Sequence, residues 1–146
     1  MFDGQIRPLH VLLVEDNPGD VRLMREALKN GGSSRRLEAV EDGEEALAYL
    51  RKQHPYTSAT KPDLIFLDLN LPKKDGREVL SVIKGDESLR RIPVVVLTTS
   101  EAERDILRVY DLHANCYVKK PTDLDEYMEV IRACENFWLH VVRLPR

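Results

Sequence analysis

The sequence predicts an α/β protein: a doubly wound, five-stranded parallel sheet with five helices packed on its two faces. Three observations lead there. Short apolar runs alternate five times with segments of helical periodicity, the pattern of repeated strand–helix units. Three of those runs (HVLLV, LIFLD and VVVLT) are apolar throughout rather than at every second residue, as strands covered on both faces must be. The polar residues that interrupt the apolar pattern collect at the downstream ends of these runs.

Each element has a local reason. Residues 10–14 form the first strand. Pro18, whose fixed φ suits the first helical position, opens a helix with Val21, Met24 and Leu28 on one face, which Gly31 and Gly32 end. Residues 37–40 make a weaker strand, closed at Gly43, and 44–53 a helix with Ala46, Leu47 and Leu50 inward. The polar stretch 54–62, with two prolines, is a loop. Residues 64–68 are the second strong strand. A turn over 71–75 around Pro72 leads to Gly76 and a helix carrying Val79, Val82 and Ile83. Ile92 and Pro93 introduce the third strong strand, 94–98. Ser100 is the expected N-cap of a helix bearing Ile106, Val109 and Tyr110. Residues 116–118 are a short fifth strand. After Pro121, Asp123 caps a last helix bearing Leu124, Met128 and Ile131.

At 146 residues the chain is one domain long and can bury a single core. Its charges are mixed in sign and sum to only -3, and no run of Lys or Arg forms a nucleic-acid footprint. The opening MFDGQIRPLH lacks the apolar core of a secretory signal, and Asp68 breaks even the apolar stretch 64–71, far short of a membrane span. The expectation is a cytoplasmic protein that binds neither nucleic acid nor membrane. Cys116 and Cys134 read as reduced thiols in or near a core, and His10, His54, His113 and His140 have no metal-ligand spacing.

The chemistry sits at the strand ends. The first strand runs into Glu15 and Asp16, the third ends in Asp68, the fourth in Thr98, and the fifth runs into Lys120. In an open parallel sheet the carboxyl ends of the strands form the ligand crevice. One sheet edge therefore receives three carboxylates, a hydroxyl and an ammonium. Clustered carboxylates repel unless a cation joins them, and hard oxygen donors at this density suit Mg2+. A carboxylate can attack a phosphoryl group to form an aspartyl phosphate, with positive charge and a hydroxyl donor stabilising the phosphoryl oxygens. Taken singly, each residue is ordinary: a strand-end Asp caps turns, a Thr favours strands, a Lys beside Pro is a loop charge, and an acidic pair complements a helix dipole. Their joint placement is what argues for a site.

With these residues in view, the chain resembles the bacterial receiver domains of two-component response regulators. VLLVEDN, LIFLDLNLP, the pair Asp75-Gly76, IPVVVLTTS and YVKKP carry the resemblance in order and spacing, from about residue 9 to 136. It implies a flavodoxin-like sheet in the order 2-1-3-4-5. It also implies roles: Asp68 as phosphoacceptor; Glu15, Asp16, Asp68 and the backbone carbonyl of Asn70 as Mg2+ ligands; Thr98 as switch hydroxyl; Lys120 as phosphate-binding lysine, with Pro121 setting the register against Lys119. Tyr117 resembles the aromatic that turns inward on activation, and Asn70 and Ser100 resemble positions that tune phosphoryl lifetime. Glu15 departs from the aspartate many members carry, and its extra methylene puts its direct metal contact in question. The implied partner is a sensor histidine kinase, and the implied protein is a signalling switch rather than a turnover enzyme.

Beyond Asn136 the chain continues FWLHVVRLPR. Phe137, Trp138, Leu139, Val142 and Leu144, with Val141, either cover the domain's own core or form an apolar patch that needs a partner. FWL followed by VxLP resembles the C-terminal extension of stand-alone regulators paired with bacterial and cyanobacterial phytochromes. That likeness implies a homodimer joined by residues 137–146 and a light-sensing kinase as phosphodonor. Two other readings stay open: an intermediate phosphorelay carrier, and a metal-dependent phosphatase using Asp68 as nucleophile. The phosphatase is disfavoured by Asn70, which cannot act as the acid many such enzymes place two residues after the nucleophile. A binding-only pseudo-receiver is disfavoured by the presence of Asp68, Thr98 and Lys120.

Overall fold

A computed structural model of the chain describes residues 8–29, 35–99 and 102–146. Strands β1 (Leu9–Val14), β2 (Arg35–Val40), β3 (Leu64–Leu67), β4 (Val94–Thr98) and β5 (Cys116–Lys119) form one sheet in the order β2-β1-β3-β4-β5. Every neighbouring pair is parallel. The helices between and after them are α1 (Pro18–Lys29), α2 (Gly43–Leu50), α3 (Gly76–Gly85), α4 (Glu103–Asp111) and α5 (Leu124–Asn136). A π-helical turn, Phe137–Val141, continues directly from α5. The predicted fold class and strand order are those observed.

The uninterrupted apolar strands are explained by two separate cores. Successive side chains of a strand point to opposite faces. Leu12, Val14, Ile65, Leu67, Val94 and Val96 pack with α2, α3 and Val109 of α4. Val11, Leu13, Leu64, Phe66, Val95 and Leu97 pack with Met24 and Leu28 of α1 and Tyr127 and Ile131 of α5. The edge strand β2 is only half covered and starts at Arg35, two residues before the apolar pattern does. Pairing with β1, from Leu9 opposite Arg35 to Val14 opposite Val40, recruits its charged start.

Other expectations shift for local reasons. α2 stops at Leu50 instead of reaching Gln53. Lys52 takes a left-handed conformation (φ 54°), its N–H bonds the Tyr49 carbonyl at 3.2 Å, and the Gln53 N–H bonds that of Ala48 at 2.9 Å. That pair of bonds is a Schellman closure without glycine. α4 ends the same way through His113 (φ 71°), with bonds to Tyr110 and Val109. α4 begins at Glu103 after Ala102, which supplies no side-chain cap. The predicted capping residue Ser100, like Gly31 and Gly32, lies outside the described residues. Leu124 is not inward but 66% exposed; Tyr127 takes the inner face with Ile131. Tyr110 is likewise exposed, its hydroxyl accepting a 3.1 Å bond from the Tyr117 N–H.

The residues after Asn136 divide into inward and outward sides. Trp138 and Leu139 pack on the α1/α5 core, and the Trp138 indole N–H reaches the Cys116 sulfur. Phe137 and Val141 face solvent. Arg35 joins this junction to β2 by a 2.7 Å ion pair with Glu135 and a hydrogen bond to His140. At the other end, Arg146 bonds the Pro8 carbonyl at 3.2 Å and lies 3.5 Å from the buried Asp63 carboxylate. Of the two readings the sequence leaves open, Trp138 and Leu139 follow the first, packing on the domain's own core, while Phe137 and Val141 stay exposed. Among the described residues, no helix is long and apolar enough to cross a membrane.

Candidate functional site

The site is assembled where β1, β3 and β4 end. The Glu15 N–H continues the ladder by bonding the Val40 carbonyl at 3.0 Å, which keeps Glu15 buried at the sheet edge. Asp16, next along, is exposed. Asn17 then caps α1, its Oδ1 accepting from the N–H groups of Gly19 (2.8 Å) and Asp20 (3.2 Å). The cap starts the helix at once and brings Asp20 back over the strand end.

Asp68 is held as strictly as a core residue. Its N–H bonds the Val14 carbonyl at 3.1 Å, and the Asn70 N–H donates to its Oδ1 at 3.3 Å. Behind it, Gly76 opens α3 so close that an added Cβ would collide with the Asp68 carbonyl and the Leu69 Cα. Only glycine permits this approach. The Gly76 N–H bonds the Leu69 carbonyl at 3.0 Å, and Asp75 caps the helix through the Arg77 N–H. Leu71 to Lys74 is carried around by Lys73 in a left-handed conformation (φ 65°).

From the other side, the Lys120 N–H bonds the Thr98 carbonyl at 2.7 Å, extending β5 past Lys119 and turning the Lys120 side chain inward. Its Nζ donates to Glu15, to Asp20 at 2.9 Å and to Asp68 at 3.4 Å. One oxygen each of Glu15, Asp16 and Asp68 lies within 4.8 Å of the others, a spacing one cation can bridge. The Thr98 hydroxyl is fully buried and, among the described residues, has no hydrogen-bond partner. Val96 pairs with Tyr117, so Thr98, two residues on, shares the sheet face of the half-buried Tyr117.

Burial dominates the electrostatics. Loss of solvent pushes the Glu15 carboxyl up to about 7, against the opposing hydrogen bond and charge of Lys120. Burial alone would lower Lys120, but the carboxylates of Glu15, Asp20 and Asp68 override it and raise it above the ordinary lysine range. The lysine therefore stays charged, and Glu15 is the carboxylate on which the repulsion and desolvation fall.

Glu15, Asp16, Asp68, Thr98 and Lys120 are thus brought to one edge, as the sequence predicts. Asn70 sits at its rim and Tyr117 one strand away; Ser100 is outside the described residues. Asp20 was not foreseen. Its signal was available: an acidic residue in the first turn of a helix that starts directly after the strand bearing Glu15. A cleft of about 860 Å³ opens at the opposite pole, lined by Lys52, Lys61, Asp63, Arg91 and Arg146 among others, and shares no residue with this site.

Comparison with known proteins agrees with the geometry. The response regulator receiver domain family matches residues 11–132. Response regulator Rcp1 of Synechocystis sp. is 48% identical over 145 residues, covering 99% of each chain. The crystal structure of the phosphorylated cyanobacterial phytochrome response regulator RcpA superposes with a TM-score of 0.93 at 52% identity, over 95% of this chain and 99% of that one. The Mn2+-bound form of Rcp1 gives 0.93 at 48% identity, over 95% and 100%.

Proposed function

This chain belongs to the response regulator receiver domain family, with phytochrome-associated regulators among its relatives, and we propose that it is a phosphorylation switch whose acceptor is Asp68. One observation carries the reading: a buried lysine joined to Asp68 and Glu15 within a three-carboxylate cluster at the carboxyl edge of the sheet.

The donor set fits a divalent cation. Three clustered carboxylate oxygens, two of them on buried side chains, are hard ligands whose mutual repulsion a 2+ charge relieves. Glu15, Asp16 and Asp68 would hold it, with the Asn70 carbonyl, and Mg2+ is the proposed ion. Bound there, it supplies positive charge to the transferring phosphoryl group. The rest is done by side chains of this chain. An Asp68 oxygen attacks phosphorus in line as the bond from phosphorus to the donor's imidazole nitrogen breaks, that nitrogen keeping the electron pair. Lys120 neutralises a phosphoryl oxygen, and Thr98 gains a hydrogen-bond acceptor that its buried hydroxyl lacks among the described residues. Drawing Thr98 toward the phosphoryl vacates space on the face shared with Tyr117. The surface of α4, β5 and α5 then changes shape, biasing a two-state equilibrium.

The phosphodonor on this reading is a sensor histidine kinase of the phytochrome type, supported by Rcp1 and RcpA as relatives, and the protein acts in the cytoplasm. Residues 9–136 are the receiver, and 137–146 an extension whose outward Phe137 and Val141 join two copies into a homodimer. Small-donor labelling tests the acceptor. With acetyl phosphate and Mg2+ the protein should gain one base-labile acyl phosphate, and Asp68→Asn none. Equal labelling of the variant would sink the assignment.

A further inference from the structure

An ammonium group has three protons to donate, and Lys120 spends them on three carboxylates. Two of these, Glu15 and Asp68, belong to the cluster a cation would bridge. Asp20 does not. Its contact with Lys120, 2.9 Å, is shorter than the 3.4 Å contact with Asp68. It is also held in place, since the Asn17 cap accepts from its N–H. Its side chain is 21% exposed against 6% for that of Lys120, so the pair is largely shielded from water.

We propose that Asp20 is a positioning residue for Lys120, holding the ammonium beside Asp68 instead of on it; the inference rests on Asp68 being the phosphoacceptor. Without Asp20, the third donor of Lys120 has one strong partner left in reach, the Asp68 oxygen. A tight pair there would quench the nucleophile and occupy an oxygen the cation needs. With Asp20 present, Lys120 waits within a short side-chain movement of the phosphoryl group it must meet. The competing account is that Asp20 merely complements the positive end of the α1 dipole, as first-turn acids do.

Asp20→Ala and Asp20→Asn separate the two, because both remove the charge but asparagine keeps an oxygen that can accept from Lys120. Initial rates of labelling by acetyl phosphate at saturating Mg2+ should fall about tenfold in Asp20→Ala and clearly less in Asp20→Asn. In a Lys120→Met background, where labelling is slow already, Asp20→Ala should slow it no further. Mn2+ affinity, measured by electron paramagnetic resonance of the free ion, should weaken several-fold more in the alanine variant than in the asparagine one. Wild-type labelling rates in a folded Asp20→Ala protein would overturn the proposal and leave the Asp68 assignment standing. So would equal effects of both variants on rate and on Mn2+, which mark a charge effect alone. Failure of the wild-type protein to label would overturn the Asp68 assignment itself, and this proposal with it.

Discussion

Thr98 ends β4 with a buried hydroxyl that finds no hydrogen-bond partner among the described residues. Such a group costs the resting state about 1–3 kcal/mol of desolvation. Thr98→Val should therefore raise the melting temperature of the unphosphorylated protein by about 2–4 °C. The same variant should lose most of the further gain that phosphorylation confers on the wild type. Calorimetry with and without phosphodonor checks both halves; a lower melting point in the resting variant would refute the idea of an unmet donor. Cys134 makes a different point. Burial pushes its thiol up to about 11, with the neighbouring Cys116 adding to the shift. The thiolate is the disfavoured form, so alkylation at pH 8 should run about two orders of magnitude slower than for a free thiol and accelerate as pH climbs toward 11. Mass spectrometry of iodoacetamide-treated protein, native against unfolded, reads this directly. At this scale the sequence revealed the residues that close an apolar strand. It hid Asp20, which is placed by a helix cap and matters only through a lysine 100 positions away.

Helix ends were the least legible elements, for a definite reason. A glycine announces a left-handed C-terminal residue; Lys52 and His113 do the same work without announcing it. The bonds that close α2 and α4 run to the carbonyls of Ala48 and Tyr49 and of Val109 and Tyr110, and they hold in the left-handed conformation residues that disfavour it. Lys52→Gly should then stabilise the protein by about 0.5–1 kcal/mol, since the site is exposed and the left-handed strain is removed. Urea unfolding monitored by circular dichroism would show it as a higher midpoint at unchanged slope. Strand starts were hidden in the opposite way. The beginning of β2 is charged, yet it pairs with β1 along its whole length. What the pattern did resolve were β1, β3 and β4, because burial on both faces leaves no freedom in residue type.

For the molecule as a whole, the two cores have unequal neighbours. One is closed by α2, α3 and α4, the other by α1 and α5, with Trp138 and Leu139 completing the latter. Composition could show six apolar residues after Asn136 but not which of them the domain itself would claim. The division makes a paired prediction. Trp138→Ala should lower stability by about 2 kcal/mol through lost packing. Phe137→Glu with Val141→Glu should leave the fold intact by circular dichroism and convert a wild-type dimer to monomer in sedimentation velocity. A wild-type monomer would end the dimer proposal.

Gly76 gives the message leaving this site a compass bearing. Its missing side chain lets the backbone around Asp68 and the head of α3 press together with no slack, so that bank of the crevice acts as an anvil. A phosphoryl group on Asp68, as proposed above, would meet this closely packed bank on one side. On the proposed reading the change would then be directed across the crevice, toward Thr98 and Lys120, and that is the side from which a partner would be expected to read it.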